Sequence, residues 1–340
     1  METSGAELRI VCLLPSITEI VAALGLAEQI VGITHECNYP AEAIHGAIVV
    51  TKSEISPFSM SQGEINKAVV GSLLDGHSLY ALKAEELKAL RPTHIFTQSL
   101  CDICAVSYPV VLATCARIMG GPKQVGESVP TDAMREPQII SLEPGDLGEV
   151  LQTIKIAAEA IGPSYMPVAD KLEEDLRKGF QRIRAVTDAQ TRRPRVVFME
   201  WHDPIFDGGH WIPDMLEIAG GEYSMSKRGE RSKAITQEQF VSFDPEYILV
   251  GPCGFDLERA KADTLKMYTH QWWCNMDAVK NGNVFALDAN SYFARPGPRL
   301  LQGTAIMAAC LHGMDAALEL GQALVPENSY EQINTPGVEK

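Results

Sequence analysis

An α/β fold of two lobes, each built on a parallel sheet and joined by a long helix, is predicted by three observations. First, short apolar runs alternate with helical patterns in both halves of the chain, and that alternation calls for parallel strands with right-handed crossovers. Second, 340 residues is long for a single core, so two lobes of roughly 100 to 150 residues are the natural division. Third, a mixed-charge helical pattern runs from Tyr165 to about Thr187 with Lys171, Glu174, Lys178 and Arg182. Unbroken, such a helix exceeds about 30 Å and bridges two lobes. The boundaries expected are 8–145 for the first lobe, 146–192 for the connecting helices, 193–325 for the second lobe and 326–340 for a flexible tail.

In the first lobe, residues 9–14 form a short apolar strand. A helix carrying Ile20, Val21 and Leu24 follows, with Ser16 or Thr18 as its cap, Glu19 suited to its positive end, and Gly25 as its stop. Residues 30–33 are the next strand, leading into Thr34-His35-Glu36-Cys37-Asn38-Tyr39-Pro40. Neighbours in an extended segment point to opposite faces, so at best His35 and Cys37 share one. Residues 51–80 read as loop plus a weakly periodic helix near Ile65 to Leu74. A helix over 84–90 stops at Arg91-Pro92, and 93–97 is a strand followed by Gln98-Ser99-Leu100-Cys101-Asp102-Ile103-Cys104. Cys-x-x-Cys at a helix start suits packing, metal contact or redox exchange, and one such pair does not choose among them.

After a strand at 138–142, a helix from Asp146 places Leu147, Val150, Leu151, Ile154 and Ala158 on one face. Past Arg193-Pro194, the second lobe opens with the apolar strand 196–199 and then Glu-Trp-His-Asp-Pro-Ile-Phe-Asp-Gly-Gly-His-Trp at 200–211. Two tryptophans, two histidines and three carboxylates thus stand at a strand's carboxyl end, where open α/β sheets bind ligands. Trp201 and His202, nearest the strand, are the better candidates for ligand contact. Trp211 heads the next helix as core, and Gly208-Gly209 turns the chain. Residues 224–233 read as an exposed basic loop, and Thr236 to Gln239 as a capped helix start. Strands at 247–250 and 284–287 lead into Gly251-Pro252-Cys253-Gly254 and into Tyr292, Phe293 and Arg295, and an apolar helix over 300–320 closes the lobe.

Charge excludes some functions. With 44 acidic against 29 basic residues the net charge is -15, which repels nucleic acid and anionic membrane surfaces, and the expected partner is a small molecule. The acidic start, Met1 to Glu7, lacks the pattern of a signal peptide, and no segment has the roughly 18 apolar residues of a membrane span. A cytoplasmic protein whose eight cysteines stay thiols is expected. No nucleophile elbow, Walker loop or His-Glu-x-x-His helix is present.

From Leu8 to about Leu320 the chain resembles the periplasmic-binding-protein family that captures iron chelates and vitamin B12, the helix-bridged solute-binding proteins. The resemblance is carried by Arg9-Ile10-Val11-Cys12-Leu13-Leu14-Pro15-Ser16-Ile17-Thr18-Glu19, Val31-Gly32, Tyr39-Pro40 and Leu90-Arg91-Pro92-Thr93-His94-Ile95. It continues through Ala219-Gly220-Gly221-Glu222, Phe243-Asp244-Pro245-Glu246-Tyr247-Ile248 and Asn283-Val284-Phe285-Ala286-Leu287. Phe293, Arg295 and Pro298-Arg299 look most like the cobalamin-binding subgroup. The resemblance implies two rigid Rossmann-like lobes with a ligand cleft between them, holding a cobalamin-like or other metal chelate. His35, Glu36, Tyr39, Gln98, Trp201, His202, Tyr292, Phe293 and Arg295 would contact that ligand. Family members deliver to a transporter, and the missing export signal argues against that partner here. An alternative is a metal-dependent enzyme or metal-handling protein. It would hold zinc, iron or nickel on Cys101, Cys104, His202 and His35, with Glu36, Glu200 and His210 nearby.

Overall fold

Strands β1 (Ile10–Cys12), β2 (Ile30–Ile33), β3 (Ile48–Val49), β4 (Thr51–Ser53), β5 (Tyr80–Leu82), β6 (His94–Thr97) and β7 (Gln138–Ser141) come from the first half of the chain. In this computed structural model, which describes residues 7–74, 79–98, 108–119 and 136–334, five of them form a parallel sheet in the order β3-β2-β1-β6-β7. Its central strand is apolar at every position because both faces are covered: Ile10, Val11 and Cys12 are fully buried. Leu87, Leu90, Ile95 and Val111 pack with Val11 and Leu13 on one side.

The helix Pro15–Ala23 has no side-chain cap, contrary to the expectation for Ser16 or Thr18. Pro15 at its first position removes one donor that would need a cap, and the Thr18 hydroxyl turns back to the Leu14 carbonyl at 3.2 Å. The region expected to be loop plus helix also holds β4 and β5, paired antiparallel outside the main sheet, besides the helix Gln62–Leu74. Strands of three residues leave too little periodicity to read.

The second half contributes β8 (Val196–His202), β9 (Ile205–Asp207), β10 (Tyr247–Val250), β11 (Val284–Leu287) and β12 (Tyr330–Gln332), ordered β12-β11-β10-β8-β9. The three inner strands are parallel and the two edges antiparallel. Both edges correct an expectation. β8 does not stop at Met199 but runs to His202, because β9 folds back on it and supplies backbone partners beyond the reach of β10. The stretch after Pro326, expected to be flexible, places Tyr330–Gln332 against β11 and buries Ile333 to 3% exposure.

The chain divides into two units, residues 1–143 with 153–172, and residues 144–152 with 173–340. Two helices, Leu147–Ile161 and Met166–Asp188, therefore each contribute to both units, and the second, at 23 residues, is about 34 Å long. This is the long bridging helix that the charge pattern predicts. The capped start at Thr236 is also present, with the threonine and Gln239 satisfying each other's backbone amides.

Candidate ligand-binding site

In the second unit, the last three residues of β8 emerge partly exposed after four buried ones. Trp201 meets the ring of Phe255 edge-on, with centroids 5.4 Å apart. Phe255 lies five residues past β10 and is 3% exposed, and the Arg259 guanidinium sits 3.6 Å from its ring centre. An aromatic wall backed by a cation is thus assembled from two neighbouring strand ends. Phe255 was not among the sequence candidates; the Gly-Pro-Cys-Gly turn just before it is the signal that pointed to this strand end. His202 stands on the strand rather than in a loop, and burial pushes its imidazole below the ordinary value although Asp263 and Asp203 favour the charged form.

Behind this wall the chain turns through Gly208-Gly209. A side chain on Gly209 would come within 2.3 Å of the Ser232 backbone nitrogen, so only glycine lets the two segments approach. Its amide donates to Ser232 Oγ at 3.0 Å, and that hydroxyl donates to Glu200 Oε2 at 2.5 Å. Asp207 is fully buried, and burial raises its carboxyl despite the bond from the Lys233 amide to Oδ1 at 2.8 Å. His210 takes a left-handed backbone (φ 53) that is clamped by the loop: its amide donates to the Glu230 carbonyl and its carbonyl accepts from Gly229. Trp211 is core as expected, 7% exposed, with Nε1 donating to the Phe293 carbonyl at 2.8 Å.

Three candidates after β11 divide differently from the expectation. Tyr292 is partly exposed, with the Arg299 guanidinium 5.7 Å from its ring. Phe293 is 2% exposed and packs on Phe198 at 5.6 Å, so its ring belongs to the core and not to a ligand wall. Arg295 is 6% exposed and donates to Asn290 Oδ1 at 2.9 Å, which makes it an internal tie. The short helix Ala289–Tyr292 ends at Phe293 and turns that side chain inward, a choice that no sequence pattern records.

In the first unit, His35 follows β2. Its backbone amide and its Nδ1 both meet Thr51 Oγ1, at 3.0 and 2.7 Å. Thr51 donates its only hydroxyl proton to Thr34 Oγ1 at 3.0 Å, so it accepts from Nδ1–H and leaves the lone pair on Nε2. Nε2 lies 3.4 Å from Glu36 Oε1, a contact that is an ion pair only with a protonated ring. Burial pushes His35 below its ordinary value, outweighing Glu36, so the ring is neutral at pH 7. Thr51 is a site residue that sequence reasoning missed, because it sits on the unrecognised strand β4. Tyr39 is 46% exposed and open to a ligand, whereas Gln98 is 5% exposed at the end of β6, where its carbonyl accepts from Tyr108.

Among the described residues, no three His, Cys, Asp or Glu side chains stand where they would hold an ion. His35 and His202 belong to different units, and Cys101 and Cys104 lie outside the described residues.

Four histidines, 35, 202, 210 and 312, are held below their ordinary value, in each case chiefly by burial. A histidine depressed in the folded state stabilises fully above its unfolded value, near 6.5, and loses that contribution as pH falls toward the folded value. The buried carboxylates Asp207 and Asp214 are raised and act in the opposite sense, but nearer the carboxylate range. The thermal midpoint is therefore expected to hold steady down to about pH 7 and to fall as pH drops through about 6.5 to about 6, by about 2 to 4 °C for each kcal/mol lost. A midpoint that is flat or rises over that interval in calorimetry contradicts this.

Comparison with known proteins gives a consistent picture. A family model described as periplasmic binding protein matches residues 123–291. A vitamin B12-binding protein of Vibrio parahaemolyticus is 23% identical over 307 residues, covering 89% of this chain and 88% of that one. An ABC transporter substrate-binding protein from Listeria monocytogenes superposes with a TM-score of 0.64 at 18% identity, covering 90% of this chain and 99% of that one. The periplasmic heme-binding protein RhuT from Roseiflexus superposes at 0.63 with 21% identity, covering 92% and 99%. The Listeria and Roseiflexus proteins are transporter-associated and periplasmic by name, so the doubt about a transporter partner finds no support in them. Among the described residues, no helix is long and apolar enough to cross a membrane.

Proposed function

We propose that the chain, which a periplasmic-binding-protein family model matches over residues 123–291, is a small-molecule-binding protein of the ABC-transporter substrate-binding type, and that its ligand is a cobalamin-like or heme-like metal chelate. The observation that carries the reading is the partly exposed Trp201 at the carboxyl end of β8, held edge-on against the buried Phe255 beyond β10. Its ring gives a flat chelate an apolar face at small entropic cost, because it has only two torsions to fix.

Isothermal titration of the purified protein against cobalamin, heme and a ferric siderophore tests the proposal. At least one of the three should bind with Kd below about 100 μM, equivalent to about 5.5 kcal/mol. Weaker binding to all three overturns it.

A further inference from the structure

Two thiols at the carboxyl end of the first sheet share one hydroxyl partner, and neither the fold nor the proposed ligand requires them. Cys12 is the last residue of β1 and is fully buried. Cys37 lies four residues beyond β2, in a turn closed by its own amide on the Thr34 carbonyl at 3.1 Å, and it is partly exposed. β1 and β2 are adjacent and parallel, with Cys12 level with Ile33, which brings the turn back over the end of β1. The buried hydroxyl of Thr18 is 3.1 Å from Cys37 Sγ and also hydrogen-bonds the Cys12 thiol. Each thiol is thus one hydrogen bond from the same oxygen. Cys115 and Cys310 differ: burial alone raises both, with no second thiol acting on either.

We infer that Cys12 and Cys37 are a redox-active dithiol that closes to an intramolecular disulfide by exchange with a small-molecule disulfide. The accessible Cys37 thiolate attacks one sulfur of the small disulfide, its S–S bond breaks, and one small thiolate leaves and takes up a proton. Cys12, deprotonated, then attacks the Cys37 sulfur of the mixed disulfide, the second small thiol leaves, and Cys12–Cys37 is formed. Two protein thiols are oxidised and one small disulfide is reduced to two thiols. Thr18 rotates aside as the sulfurs close. The division of roles follows exposure: Cys37 is reachable from solvent, and the buried Cys12 reacts only with a partner already attached to Cys37. Closure fixes the turn that carries His35 and Tyr39 to the end of β1.

The test uses the full chain, reduced and then incubated with glutathione at increasing oxidised-to-reduced ratio, with intact mass and non-reducing peptide mapping as readouts. The expected result is loss of two hydrogens and a cross-linked pair of peptides containing Cys12 and Cys37. Cys37→Ser should abolish that cross-link and leave Cys12 a thiol. Cys12→Ser should retain glutathione on Cys37, because the resolving thiol is gone. A lasting glutathione adduct on Cys37 in the unaltered protein, a mass change that maps only to Cys101 and Cys104, or no reaction at any ratio overturns the inference. None of these readouts involves the chelate, so its outcome is separate from that of the ligand titrations.

Discussion

Trp201→Ala is expected to weaken chelate binding about 10- to 100-fold, or about 1.4 to 2.8 kcal/mol, while leaving the fold intact. The ring is partly exposed at the end of β8, so little of it is core, and it meets the edge of Phe255. Truncation removes a large aromatic face, and the buried Phe255 behind it offers none in its place. Trp201→Phe should recover part of the loss, because a smaller ring still covers the same strand end. The measurement is a titration of each variant with whichever chelate the unaltered protein binds, beside a thermal melt to confirm folding. An unchanged Kd in Trp201→Ala with normal melting would place the ligand elsewhere.

Phe198→Ala is expected to cost about 3 to 5 kcal/mol of stability. Phe198 is 1% exposed in the middle of β8 and packs on Phe293. Its ring also fills space that two glycines leave: a Cβ on Gly251 would lie 2.5 Å from Phe198 Cζ, and one on Gly208 would lie 2.8 Å from Cδ1. Backbone on both sides is pinned, Gly251 by its amide on the Met199 carbonyl and Gly208 by Tyr223, so the cavity cannot collapse readily. Denaturant unfolding should show a lower midpoint with an unchanged slope. A loss below about 1 kcal/mol would mean that the surrounding strands relax into the space.

The two substitutions lie three residues apart on one strand and act on different properties, which shows where sequence reading succeeds. Val196, Val197, Phe198 and Met199 announce a strand buried on both faces, and the polar and aromatic residues after them announce a strand end. Those patterns also identify Trp201 as a surface candidate and Trp211 as core. The strand's true length could not be read, since it depends on β9 returning as a partner. Phe293 misleads for a related reason: it stands in a row of site-like residues, yet the end of a one-turn helix rotates it onto Phe198. Thr51 went unnoticed because its role comes from a strand too short to carry a pattern, which brings it to a histidine sixteen residues earlier.

By itself the sequence determined the class of fold, the order of the main parallel strands and of most of the longer helices, and the long helix shared by both units. These depend on periodicity, caps and breakers, which act over a few neighbouring residues and are written along the chain. Tertiary structure alone decided which side chains at the strand ends face outward, which tautomer His35 holds, and that Cys12 and Cys37 share one hydroxyl. Each of those is a relation between segments far apart in sequence, set by strand register and by hydrogen bonds that no local pattern encodes.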